Sequence, residues 1–169
     1  MRSTGGTGRT ECNRLAVAVL AVVLVGCRPT PPAVPLQDAG KSVSELRAML
    51  ANPDPEIQAR GALNLSTHGP AAAEAVPELI PLLKSQSPLT RQNAAVAFAA
   101  IGPEARAAVP ALTEALRDTE WAVRRQAALA LGAIGPEAKP AVPALKRLDT
   151  DPYPTVRTAA KEARTKIGG

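Results

Sequence analysis

Aromatic side chains are almost absent from this sequence of 169 residues, which contains one Trp, one Tyr and one Phe. Hydrophobic residues still make up 46% of the chain, so the core must be built from Ala, Leu, Val and Ile. The strands of a β-sandwich favour aromatic and β-branched residues. The composition therefore argues for closely packed helices and against a β-sandwich.

Cysteine and histidine are also scarce. Both cysteines, Cys12 and Cys27, lie near the N-terminus, so the rest of the chain has no thiol for a disulfide or a metal. His68 is the lone histidine and is interpreted as a surface residue. The sequence has no glycine-rich phosphate loop, zinc-ligand spacing or nucleophile elbow. We therefore predict no catalytic residue, no metal site and no cofactor.

The N-terminus has the pattern of an export signal. Residues 1–14 are polar with a net positive charge, and residues 15–25 form an uninterrupted run of 11 apolar residues. Such a run is too short to span a bilayer, which takes roughly 20 residues. It has the length of the apolar region of a signal peptide. We predict a signal peptide over residues 1–26.

The run ends in Leu24-Val25-Gly26-Cys27, which resembles the lipobox of bacterial lipoproteins. The resemblance implies that Cys27 is diacylated on sulfur and becomes the first mature residue. An ordinary secretory signal with an incidental Cys27, or a short N-terminal anchor, is the alternative. The protein is thus expected in the cell envelope, lipid-anchored. Arg28, where Asp would retain a lipoprotein in the inner membrane, favours the outer membrane or periplasmic face in a diderm bacterium.

Residues 27–43 are predicted to be a tether. Pro29, Pro31, Pro32 and Pro35 occur there with few large apolar residues. Proline-rich segments favour extended polyproline II at about 3.1 Å per residue, so such a linker could reach on the order of 40 Å.

The charge surplus is small once the leader is removed. The whole chain carries +5 and has a pI near 9.7, which hints at nucleic acid. From Cys27 onward it contains 17 basic and 14 acidic residues. A surplus of that size is an ordinary surface, so we predict no nucleic-acid partner.

A 33-residue period organises the rest of the chain. Gly69-Pro70, Gly102-Pro103 and Gly135-Pro136 are each 33 residues apart. A fixed period in this range indicates a repeat array. Each unit is predicted to contain a short helix, a turn, a longer helix and a Gly-Pro break, in which the glycine takes the left-handed conformation of a helix C-cap. The leucines that keep the same step are Leu46, Leu79, Leu112 and Leu145.

The segment 123–135, VRRQAALALGAIG, resembles the second helix of HEAT-like repeats of the type named after phycobilisome lyases. The resemblance covers residues 44–169 and implies an all-α, right-handed α-solenoid of about four two-helix units. We place these units at about 44–74, 75–107, 108–140 and 141–169. The first unit departs at Gln58, Gly61 and His68, and the last carries Lys161, Glu162 and Arg164 in places that are apolar upstream. Both departures suit terminal repeats, which need a polar outer face.

Three arginines recur at the start of the second helices, at Arg91, Arg124 and Arg157. They follow Ser85, Asp118 and Asp151 by six residues. The HEAT resemblance implies that a turn Asp and an Arg at this spacing form a ladder along the stack. A row that binds anions is the alternative.

Trp121 occupies the place that proline holds in the other units, and Tyr153 lies in the corresponding turn of the next unit. Neighbouring helices lie about 8–10 Å apart, close enough for the two rings to share a patch with nearby arginines. Aromatic residues and Arg dominate binding hot spots. Local packing of Trp121 over its turn is the alternative. The candidate partner-binding patch consists of Trp121, Arg124, Arg125, Tyr153 and Arg157.

These observations favour a non-catalytic, membrane-tethered interaction scaffold that is monomeric and binds a protein or peptide of the cell envelope. A lyase-like or chromophore-handling protein is a second hypothesis, suggested only by the name of the repeat type. A nucleic-acid-binding HEAT-like protein is a third. The small surplus of charge and the export signal argue against the third.

Overall fold

The computed structural model describes Asp38 and residues 40–168, which belong to one compact unit beginning at Pro35. The predicted signal peptide, Cys27 and most of the predicted proline-rich tether lie outside the described residues. The described part of the chain is helical and contains no strand. Its α-helices are α1 (Val43–Leu50), α2 (Pro55–Leu65), α3 (Val76–Leu82), α4 (Pro88–Ile101), α5 (Val109–Ala115), α6 (Trp121–Ile134), α7 (Val142–Arg147) and α8 (Pro154–Ile167).

The eight helices form four successive pairs. The longer second helices α2, α4, α6 and α8 pack side by side in chain order, and each shorter first helix packs on the second helix of its own unit. This arrangement confirms the predicted all-α solenoid of four two-helix units. Helix α3 ends at Leu82, and the chain continues in a turn from Pro81 to Lys84.

The periodic aliphatic residues make up the core. Leu46, Leu79, Leu112 and Leu145 are all fully buried, one from each first helix. Alanines of the second helices are buried as well, and their small side chains allow those helices to approach closely. Phe98 is fully buried, whereas the other two aromatic residues are not. The near absence of aromatics is thus compatible with a continuous core.

The Gly-Pro breaks differ from the predicted C-cap. Gly69, Gly102 and Gly135 have φ of 55°, 74° and 77° with ψ near −135°, −136° and −141°. These angles lie outside the left-handed helical region, whose ψ is positive. Residues with a side chain rarely adopt such backbone angles, so glycine is required here. The turn that it makes differs from the expected C-cap. A 3₁₀ segment follows each glycine and leads into the next unit.

Two other glycines permit close helix packing. A Cβ on Gly132 of α6 would lie 2.9 Å from Ala163 Cα in α8, and one on Gly61 of α2 would lie 2.9 Å from Met49 Cβ in α1. Neither separation is possible between ordinary carbon atoms. The absence of a side chain therefore sets the distance between these helices.

Among the residues that the structure describes, one helical stretch, Pro88–Ala115, is long and apolar enough to cross a membrane, with a mean hydropathy of 1.2. It contains α4, α5 and the break at Gly102, and half of its apolar window is buried within the repeats. Core packing of the repeats accounts for its composition.

Candidate protein-interaction surface

The turns that precede the second helices α2, α4, α6 and α8 form one rim of the repeat array. This rim is called the rim below. Helices α2 and α4 begin after Asp54 and Ser87, whose side chains accept hydrogen bonds from backbone N–H groups of the first turn. Helices α6 and α8 begin after Glu120 and Tyr153, which make no such side-chain bond. The second helices therefore have a side-chain N-cap in the first two units and none in the last two.

An arginine–aspartate ladder runs along this rim. Arg91 Nε lies 2.6 Å from Asp118 Oδ2, and its Nη2 donates to Asp118 Oδ1 at 2.9 Å. Arg124 makes the same paired contact with Asp151, at 2.7 and 3.1 Å. Each arginine also donates through Nη1 to two carbonyl oxygens of its own turn. Each guanidinium thus joins its own turn to the turn of the next unit.

The ladder prediction is confirmed for Arg91 and Arg124, with one refinement. The residue six positions before each arginine supplies a backbone carbonyl, and the carboxylate comes from 27 residues after it. Ser85 therefore bonds to Arg91 through its main chain. The spacing of six identifies the arginines and aspartates of the ladder but not the unit with which each carboxylate pairs.

Ionisation of the ladder aspartates is favoured by their surroundings. Burial works to raise the pKa of Asp118, but the hydrogen bond from Arg91 and the backbone N–H of Glu120 outweigh it and lower the pKa. Burial also works to raise the pKa of Asp151. The hydrogen bonds from Arg124 and from the Tyr153 N–H outweigh this effect and lower the pKa. Both carboxylates are therefore fixed as charged structural groups at neutral pH.

A rung of the ladder is the contact between one arginine position and the aspartate position of the next unit. In the first rung, both positions carry neutral residues. Gln58 takes the place of the arginine and donates to the Asn52 carbonyl at 2.7 Å, the same contact within its own turn. The residue 27 positions after Gln58 is Ser85, which stands where Asp118 and Asp151 stand. Loss of the cation is thus matched by loss of the anion, which avoids an unpaired charge at that level.

Two exposed aromatic rings stack across the third and fourth units. Trp121 and Tyr153 have ring centroids 5.6 Å apart and planes inclined by 20°. Trp121 is 40% exposed and Tyr153 46%, so the pair presents apolar surface to solvent. Arg124 Cζ lies 5.9 Å from the centre of the Tyr153 ring. The ladder arginine therefore lies over the Tyr153 ring as well as binding Asp151.

Leu89 is a third exposed hydrophobic residue on this rim, at 49% exposure. It follows Pro88, which begins α4 as Trp121 begins α6. It is not among the residues of the predicted patch. The signal was available, because the equivalent positions in the other units are Glu56, Ala122 and Thr155, none of them a large apolar residue.

An open groove of about 250 Å³ lies between α6 and α8, next to the rim. Arg125, Leu129 and Ala159 line it, together with Pro154, Thr158 and Glu162. The groove has a mixed lining, with a basic group at one position and an acidic group at another. It could receive a side chain of a partner that already contacts the rim.

The structure separates the predicted patch into three roles. Trp121 and Tyr153 are exposed and in contact, and Arg125 lines the groove beside them. Arg124 is committed to the ladder, and Arg157 bonds through Nη1 to the Asp151 and Pro152 carbonyls. Within residues 40–168 no group of three or more His, Cys, Asp and Glu side chains could hold a metal ion. His68 is half-buried in a 3₁₀ segment.

Comparison with known proteins agrees with this architecture. The family described as HEAT repeats matches residues 43–108 and 104–163, which is most of the chain. The chain therefore belongs to the HEAT repeat family.

Among solved structures, the chain is similar to two engineered proteins from the Northeast Structural Genomics Consortium. The first is 30% identical with a TM-score of 0.64, over 75% of this chain and 62% of its own. The second is 31% identical with a TM-score of 0.63, over 77% and 38%. A designed armadillo repeat protein shares the fold at 20% identity, with a TM-score of 0.62 over 74% and 64%. The chain spans less than two thirds of the length of each of these three proteins. No curated protein matches the sequence.

Proposed function

We propose that this protein is a non-catalytic interaction scaffold of the bacterial cell envelope, held at the membrane by a lipid on Cys27. The stacked, exposed pair of Trp121 and Tyr153 is the observation that carries the proposal. Helical repeat arrays present extended surfaces to partners. The aromatic pair gives this surface a defined centre.

The physical case for the aromatic pair is that two large apolar rings are kept in water although the fold does not need them there. Proline begins the equivalent helices α2, α4 and α8, so a tryptophan is not required to start α6. Rings that are already stacked lose little conformational freedom on binding, and their burial by a partner is favourable. This is the composition expected of a hot spot.

The surrounding polar groups support binding over chemistry. Asp118 and Asp151 are held ionised by structural partners, which removes them as proton donors near neutral pH. Glu162 and Arg125 face an open groove, where water would screen the charge of a reacting group. We infer that the rim recognises a protein or peptide by contact.

Co-purification from detergent-solubilised membranes tests this function. The full chain should retain a specific partner, and Trp121→Ala with Arg125→Glu should lose it. The matched control is Leu63→Ala, which removes apolar surface from α2, two units away from the aromatic pair. Both variants should keep the helical circular dichroism of the native chain. Equal recovery of the partner with the double variant would remove the aromatic rim from the proposal.

A further inference from the structure

The guanidinium of Arg157 is oriented like those of the two ladder arginines. Its Nη1 donates to the Asp151 carbonyl at 2.7 Å and to the Pro152 carbonyl at 3.2 Å. The corresponding distances are 2.9 and 3.3 Å at Arg91, and 2.8 and 3.0 Å at Arg124. The same two-carbonyl contact therefore fixes the direction of all three side chains.

The opposite edge of the guanidinium is where the three arginines differ. In Arg91 and Arg124, the Nε and Nη2 groups of that edge hold both oxygens of an aspartate. Among residues 40–168 and Asp38, no acidic side chain forms an ion pair with Arg157. A carboxylate-binding edge is thus oriented and unoccupied by any described residue.

We propose that Arg157 binds a carboxylate of an acidic segment of the partner protein, beside Trp121 and Tyr153. Arginine is suited to this role because its planar fork pairs with both carboxylate oxygens at once. The two upstream rungs show that the rim geometry admits such a pair. The inference rests on the proposed function, which it deepens by assigning the partner a chemical class.

The distribution of charge favours an acidic partner. Residues 141–169 contain six basic and three acidic side chains, whereas residues 44–140 contain nine basic and ten acidic ones. The fourth unit is therefore the positive part of the repeat array. Complementary charge mainly favours the encounter and the correct orientation of a partner.

A second copy of the chain fits this edge less well. If two copies stacked end to end as the units do within one chain, Asn52 of the first unit would take the place of Asp118 and Asp151. An amide has one oxygen and no charge, so it cannot form the two parallel, charge-assisted bonds that a carboxylate makes with this edge. The geometry therefore points to a different protein as the source of the carboxylate.

A peptide taken from the chain itself is the probe for this proposal. The acetylated and amidated segment 145–152, LKRLDTDP, contains the aspartate that occupies the preceding rung. Its matched control carries Asp151→Asn. In a ¹⁵N spectrum of the full chain, the Arg157 Nε–H resonance should shift saturably with the aspartate peptide, at an affinity at least about tenfold above that of the control. Equal affinities, or shifts confined to other arginines, would overturn the proposal.

Variants of the full chain distinguish the effect of the bidentate guanidinium geometry of Arg157 from the effect of its positive charge. Arg157→Lys keeps the positive charge but loses the bidentate edge, so affinity for the aspartate peptide should fall about tenfold. Arg164→Gln removes another cation of the fourth unit, one that pairs with Asp149, and should change the affinity less than twofold. Undiminished binding to Arg157→Lys would show that charge alone attracts the peptide and would overturn the inference.

The two proposals fail in different ways. Loss of the native partner on Trp121→Ala, with no peptide binding at Arg157, would leave the scaffold function standing and remove the carboxylate site. Peptide binding at Arg157, with partner recovery unaffected by the Trp121 and Arg125 substitutions, would leave the carboxylate site standing and remove the aromatic rim from the proposed function.

Discussion

At the scale of single residues, the ladder aspartates join successive units through largely buried ion pairs. Asp151 accepts two bonds from Arg124 and one from the Tyr153 N–H. Hydrogen bonds to charged groups contribute about 1.5–3 kcal/mol. We expect Asp151→Asn to lower the free energy of unfolding by about 2 kcal/mol, as measured by urea denaturation.

The matched control for this substitution is Asp149→Asn. Asp149 pairs with Arg164 at 3.0 Å but lies at the surface, where ion pairs contribute about 0–1 kcal/mol. Its replacement should therefore change stability by less than about half as much as Asp151→Asn. Similar losses from both variants would mean that the ladder is no more important than any other surface pair.

The same aspartates predict a dependence of stability on pH. Their pKa values are lower in the folded protein than the ordinary value of 3.8, so the unfolded chain binds protons more readily. The stabilisation they supply is present above the unfolded pKa and is lost as the pH falls through the lower, folded pKa. Denaturation midpoints should thus fall steeply below about pH 4. A double variant, Asp118→Asn with Asp151→Asn, should show a shallower fall; an unchanged slope would place the acid sensitivity elsewhere.

At the scale of the helix, the distance between α6 and α8 depends on a missing side chain. Gly132→Ala would place a Cβ 2.9 Å from the backbone of Ala163, so α8 must move. Overpacking of this kind costs about 1–3 kcal/mol, and we expect a loss in that range although alanine is the better helix former. Thermal denaturation measures it. Thr165→Ala, at the equivalent and exposed position of α8, should change stability by less than about 0.5 kcal/mol. A stabilised Gly132→Ala protein would contradict the close packing.

The helices were predictable because their signals are local and repeated. The step of 33 residues located the leucines of the first helices and the glycines of the breaks, and the single tryptophan stood out against prolines in the same place. The backbone angles of Gly69, Gly102 and Gly135 were not predictable, because the preference of glycine for positive φ does not specify ψ.

Contacts between units were harder to predict than the helices themselves. Nothing in the spacing of Arg124 tells whether its carboxylate comes from Asp118 or Asp151, since both choices fit the period. The distance set by Gly132 depends on Ala163, which is in another unit. The sequence thus indicated which residues face the rim, and the packing of neighbouring units decided their partners.

At the scale of the whole molecule, the tether on Cys27 remains a prediction with a direct test. The chain has two cysteines, so each serves as the control for the other. In a bacterium that processes lipoproteins, radiolabelled palmitate should enter the full-length chain and its Cys12→Ala variant but not Cys27→Ala. Membrane fractionation should show the same contrast. Palmitate in the Cys27→Ala protein would exclude Cys27 as the lipid attachment site.

The neutral rung between Gln58 and Ser85 also determines how the array can grow. Tandem duplication of residues 108–140 would place Arg124 of one copy opposite Asp118 of the next, so the added unit would meet a matching neighbour on each side. Duplication of residues 75–107 would instead place Arg91 opposite a second Ser85 and leave a half-buried cation without its anion. Lengthening by gene duplication should therefore be tolerated at the third unit and selected against at the second, which gives the otherwise similar units a fixed order.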